Sequence, residues 1–144
     1  MSLAVRPVVG RRAKISALGT YVPPKVLTNQ DLEKMVETSD QWIMERTGIR
    51  ERHVLEQGKG VSDICVEAAK KCLAARGIAP SEVEVIVIGT VTPDMMFPST
   101  ACLVQDKLGA KGAWGFDVSG GCCGFVQARR FIARSCICTR LRVV

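Results

Sequence analysis

Residues 117–126 read DVSGGCCGFV, two adjacent cysteines set between glycines directly after a short apolar stretch, AWGFDVS, that has the composition of a strand. In an open α/β sheet the functional crevice lies beyond the carboxyl ends of the strands, so a residue just after this strand sits where ligands bind. Gly120 and Gly121 permit a sharp turn, and a helix starting near Cys122 would aim its free N–H groups at the thiol sulfur. Such a position lowers a thiol pKa and supplies donors for an oxyanion, the two requirements of acyl transfer to sulfur. Locally the alternatives are a nucleophile or two small buried residues filling a tight turn.

Working outward, strands alternate with helices. AKISALGTYVPPKVLTN reads as a strand followed by a Pro-Pro turn, and Thr28 or Asn29 can cap the helix QDLEKMVE. Ser39 or Asp40 can cap QWIMERTG, ending near Gly48, and IRERHV follows as a short strand. Ser62 is a candidate cap for DICVEAAKKCLAARG, closed by Gly77, with Ile64, Cys65, Ala68, Ala69, Cys72 and Leu73 at helical spacing. VEVIVIGTVT carries the apolar run of a strand covered on both faces. Ser99 can cap TACLVQDKLG, which Gly109 stops, before AWGFDVS. This order implies right-handed crossovers and a mostly parallel sheet with helices on its faces. The chain divides into a basic, poorly ordered leader (1–12), one α/β domain (13–128) and a basic tail (129–144) that fits neither a helical nor a strand period.

The chain has 144 residues and a net charge of +6, but its basicity lies at the ends. Residues 1–14 carry four basic side chains and residues 129–144 five arginines, with no acid in either stretch; without those nine the body carries eleven basic against fourteen acidic residues. An acidic body with 5% aromatic residues argues against nucleic-acid binding, which needs a basic face and stacking platforms. No apolar run reaches membrane-span length and no signal-peptide pattern opens the chain, so a soluble, cytoplasmic protein is expected. Seven cysteines, an odd number, without paired CxxC spacing point to reduced thiols and no metal site. Cys65 and Cys72 read as small core hydrophobes, and Cys136-Ile137-Cys138 lacks the partners of a zinc site. His53, the only histidine, reads as a hydrogen-bonded or solvated residue at a strand edge. Trp42, on residues alone, reads as an amphipathic core anchor.

Together GTYVPPKVLTNQDLEKMVETSDQWIMERTGIRERH, IVIGTVTPDMMFPSTACLVQDKLG and FDVSGGCCGF, in this order, resemble the beta-ketoacyl-acyl carrier protein synthase III family of thiolase-like condensing enzymes, from about Ala13 to Ala128. The resemblance implies the first half of a duplicated thiolase-like fold. It selects Cys122 as the catalytic nucleophile, with Cys123 as the small residue that follows it. It implies acyl loading from a short acyl-coenzyme A onto Cys122, then condensation with malonyl-acyl carrier protein, the coenzyme A thioester being substrate and no separate cofactor being needed. It assigns Thr38, Trp42 and Arg46 to coenzyme A, a chemically sensible set because indole and guanidinium both stack on adenine. Phe97 becomes an acyl-pocket residue reaching across a homodimer interface, where the bland reading is a packed loop aromatic. The family's condensation uses a His and an Asn from the second half, which these residues do not supply, so a truncated chain unable to condense is expected. The changed tail after Ala128 suggests a reading-frame change, and apolar faces left open by the missing half would favour aggregation. A non-catalytic binding or assembly module is the alternative.

Overall fold

The computed structural model describes residues 14–135. An antiparallel pair opens the fold: strand β1 (Val26–Thr28) lies beside β2 (Glu51–His53), with Leu27 opposite Arg52. Between them run helices α1 (Asn29–Glu33) and α2 (Asp40–Thr47). Thr28 caps α1 by accepting from the Asp31 N–H while Asp31 accepts from the Thr28 N–H. Ser39 caps α2 by accepting from the Trp42 N–H, and Gly48 ends it at φ 68°. Helix α1 is shorter than QDLEKMVE suggested, because the chain turns at Lys34 to bring α2 alongside.

The second unit is built on helix α3 (Val61–Arg76), strand β3 (Val85–Gly89), helix α4 (Thr100–Leu108), strand β4 (Trp114–Val118) and helix α5 (Gly124–Ser135). Strands β3 and β4 are parallel, Val87 opposite Phe116, as the alternating pattern required. Both faces of the pair are covered. On one, Gly115 meets Ala101 of α4; on the other, Phe116 packs edge-on against Phe131 of α5 with ring centroids 4.8 Å apart. Helix α3 stacks behind α4, and the core joins Val66, Ala69 and Leu73 to Val83, Ile86, Val104, Leu108 and Ala110. Ile86, Ala101 and Ala110 are wholly buried.

Several expectations change. Residues 14–22 form no strand. From Ser16 to Val22 the exposure alternates, and Gly19 lies against the backbone of Ala68 and Cys72 on α3, but the segment lacks a hydrogen-bonded neighbour strand. Ser62 is not the cap of α3, because Gly60 holds that position. The Asp94 carboxylate occupies the space beside Gly60 that a side chain would fill, and its Oδ2 accepts from the Ser62 N–H at 2.9 Å. Ser62 is instead buried, its hydroxyl accepting from Lys107 Nζ. The first seven residues of the tail, expected to lack a period, continue α5, with Ala128 buried and Phe131 on Phe116. Leader residues 1–12, the Cys136-Ile137-Cys138 triplet and the end of the tail lie outside the described residues.

Candidate active site

The turn after β4 is set by glycine. Cys122 and Cys123 lie in a short 3-10 turn, Gly121–Cys123, closed by a hydrogen bond from the Cys123 N–H to the Gly120 carbonyl at 3.0 Å. Gly121 stands at φ 52°, a left-handed conformation that a side chain would strain. Helix α5 starts one residue beyond Cys123, at Gly124, close against the end of β3 at Gly89; a Cβ on Gly89 would lie 3.0 Å from the Gly124 carbonyl carbon. The small residues let helix and strand meet at the sheet's carboxyl edge, where Cys122 emerges. Both thiols are exposed, which removes the reading of two small buried fillers.

A carboxylate that the sequence reading passed over fixes this edge. Asp117, near the end of β4, accepts from the Thr100 N–H at 2.7 Å and the Ala101 N–H at 2.9 Å, satisfying the first free donors of α4. Asp94, in the loop after β3, accepts from the Ser62 N–H at the start of α3, and its own N–H donates to Thr100 Oγ1. Two carboxylates thus register α3, α4 and the strand that leads into the cysteine turn at the sheet's carboxyl edge. The usable signal was Asp117 itself, because an acid inside a strand covered on both faces requires a partner. Between these groups, burial pushes the Cys65 thiol up, with the Asp94 and Asp117 charges adding to it. Cys65 therefore holds its proton, in keeping with a small core residue.

The proposed coenzyme A residues lie on and beside α2. Thr38 and Trp42 line one shallow depression of about 260 Å³ with Glu37 and Ser39. Arg46, one helical turn on, holds its guanidinium over the indole at 5.9 Å from the ring centroid. Trp42 is 55% exposed, so it is not the core anchor that residue-level reasoning offered; the buried residue of α2 is Ile43. Phe97 projects from the loop between β3 and α4 at 89% exposure, beside an equally open Met96, so it is not packed within the described chain. His53 donates through Nδ1 to the Pro23 carbonyl at 2.6 Å, an exposed strand-edge histidine as expected.

No family model matches the chain. A beta-ketoacyl-[acyl-carrier-protein] synthase III of Koribacter versatilis is 73% identical over 116 residues, 81% of this chain and 35% of the relative. The chain is homologous to the N-terminal part of the beta-ketoacyl-acyl carrier protein synthase III family. The synthase III structure from Aquifex aeolicus superposes with a TM-score of 0.80 at 48% identity, covering 86% of this chain and 40% of that one. The priming beta-ketosynthase of the R1128 polyketide pathway superposes at a TM-score of 0.86 with 28% identity, over 97% of this chain and 43% of that one. The fold is thus the thiolase-like α/β fold of synthase III, and the chain spans roughly 35% to 43% of these proteins. Among the described residues no helix is long and apolar enough to cross a membrane, and no cluster of three ligating side chains could hold a metal.

Proposed function

We propose that Cys122 is an acyl-accepting nucleophile, taking a short acyl group from acyl-coenzyme A to form a thioester and release the coenzyme A thiol. The observation that carries this reading is the exposed thiol on a glycine turn at the carboxyl end of a parallel strand, in a chain homologous to synthase III. In the step, the Cys122 thiolate attacks the thioester carbonyl. The C–S bond to coenzyme A breaks, and the departing thiolate takes a proton. Trp42 and Arg46 bind the adenine and phosphate end of the donor with Thr38 beside them, and Phe97 contributes to the acyl pocket of a partner copy in a homodimer. The coenzyme A thioester is the substrate and no separate cofactor takes part.

The acyl-enzyme would then meet malonyl-acyl carrier protein in the initiation of cytoplasmic fatty-acid synthesis. That condensation needs groups beyond these residues: His53, the chain's only histidine, is hydrogen-bonded to Pro23 on the antiparallel β1–β2 pair, a different sheet from the β3–β4 pair that leads into the cysteine turn. A second reading, a non-catalytic assembly module, is favoured by the open Leu18, Phe97, Trp114 and Phe125 side chains, which offer apolar surface to a longer subunit.

Intact-protein mass spectrometry after incubation with acetyl-coenzyme A tests the loading step. An acetyl adduct that is absent from Cys122→Ala is expected. A folded protein that stays unmodified, while co-purifying with a longer homologue, would instead select the assembly reading.

A further inference from the structure

The turn holds a second thiol for which acyl loading has no use. Cys122 and Cys123 are both exposed, adjacent in the chain, and flanked by Gly120, Gly121 and Gly124. The other described thiols differ. Cys65 and Cys72 are half-buried, and Cys102 accepts a hydrogen bond from the Ser99 hydroxyl at 3.2 Å. An accessible thiol with a second thiol at its side is the arrangement in which a sulfenic acid is captured before it oxidises further.

We propose that Cys122 and Cys123 form a reversible vicinal redox pair, with peroxide as the oxidant and Cys123 as the resolving thiol. The Cys122 thiolate attacks one oxygen of hydrogen peroxide. An S–O bond forms, the O–O bond breaks, and hydroxide leaves, so that Cys122 is oxidised to the sulfenic acid while peroxide is reduced. Cys123 sulfur then attacks Cys122 sulfur. The S–S bond forms as the S–O bond breaks, and the leaving hydroxyl departs as water with the Cys123 proton. A monothiol such as glutathione restores both thiols by exchange and is itself oxidised.

The backbone determines how long such a bond lasts. Consecutive Cα atoms sit about 3.8 Å apart across a trans peptide, closer together than the usual disulfide range of roughly 4.4–6.8 Å. Closing the bridge must therefore distort the turn and break the hydrogen bond from the Cys123 N–H to Gly120. Three glycines around the pair give the backbone room to do so. The resulting strain makes the bridge easily reduced, as a protective rather than structural disulfide must be. The proposal does not depend on acyl transfer, because it needs only the two thiols.

Trypsin releases residues 112–129 as one peptide whose only cysteines are Cys122 and Cys123. After equimolar hydrogen peroxide this peptide should be lighter by two hydrogen atoms, and millimolar glutathione should restore its mass. In Cys123→Ser, an exposed and nearly isosteric change, Cys122 should instead accumulate sulfinic and sulfonic acid several-fold faster than in the unaltered chain. Equal rates of over-oxidation with and without Cys123, or a Cys122 disulfide to a different peptide, would overturn the proposal.

Discussion

The two halves of the described chain are held together by different physics. In the β3–β4 unit, three helices bury Ile86, Val83, Val104 and Ala110 around a parallel pair, and carboxylates serve only at its edge. The antiparallel unit has little apolar interior. Its centre is Asn29, wholly buried, whose Nδ2 donates to Asp40 Oδ1 and the Ile49 carbonyl while its Oδ1 accepts from Arg52. A hydrophobic unit presents the exposed Cys122 thiol and a polar hub presents Trp42. Thiol placement should therefore fail with core packing, and ligand-surface placement with the loss of one amide.

The largest effect is expected where the first half of this contrast is attacked. Ile86→Ala removes a fully buried side chain at the meeting of β3, α3 and α4, and should cost about 2–5 kcal/mol in a denaturant titration. A loss below about 1 kcal/mol would mean that the unit is not core-held. Asn29→Ala comes next. It leaves Arg52 and the Ile49 carbonyl without their buried partner, at roughly 1–3 kcal/mol for each orphaned group that water cannot reach. Hydrogen exchange should quicken in residues 26–53 while β3 and β4 stay protected. Equal loosening of both units would break the comparison.

Asp117→Asn sharpens it from the other side, because this polar group serves the apolar unit. The amide can accept one of the two N–H bonds but turns a donor toward the other, so a cost of about 1–3 kcal/mol is expected. If Asp117 registers the nucleophile turn, iodoacetamide should still label the exposed Cys122 while acetylation by acetyl-coenzyme A slows. Parallel loss of both reactions would reduce Asp117 to a general stabiliser.

The local signals were legible in the sequence, and the long-range ones were not. Ser39 with Gly48 and Ser99 with Gly109 bracket their helices because capping is a matter of a few neighbouring residues. The run VIVIG betrays a strand with both faces covered, and the glycines around Cys122 betray the turn. The cap of α3 was misplaced because Asp94, which takes over part of that role, lies 32 residues from Ser62 in sequence. Asn29 looked like a helix start, and its part as a hub depends on Asp40, Ile49 and Arg52 converging in space. Residues 14–22 have a strand's composition, yet a strand also needs a hydrogen-bonding neighbour.

Acid offers a graded test of the apolar unit's edge. The Gly60 N–H, and then Lys107 at 2.8 Å, hold the Asp63 carboxyl below its usual range. Its folded pKa is depressed, so the stabilisation is present above about pH 4 and fades as pH falls through the folded value. Thermal midpoints measured from pH 6 to pH 2 should decline less steeply in Asp63→Asn than in the unaltered chain. Asp31, lowered to about 2 chiefly by the Thr28 hydroxyl, should hold α1 together further into acid. Identical slopes with and without the Asp63 charge would remove this linkage.

Trp42→Ala should change stability least, by no more than about 1 kcal/mol, since an exposed indole loses only its contact with Arg46 and some surface packing. Its value lies in separating the two units functionally. If the polar-hub unit exists to hold a ligand's aromatic base, losing the stacking surface should weaken coenzyme A binding by about fivefold to a hundredfold, the range for roughly 1–3 kcal/mol per stacked base. Titration calorimetry with coenzyme A reads this directly, and Trp42→Phe should recover part of the loss because a smaller π-face remains. Meanwhile alkylation of Cys122, in the apolar unit, should proceed at the unaltered rate. Unchanged coenzyme A affinity in Trp42→Ala would make the exposed tryptophan a surface for protein rather than nucleotide, and with it the antiparallel unit an assembly element, the reading its open apolar neighbours Met35 and Val36 already suit.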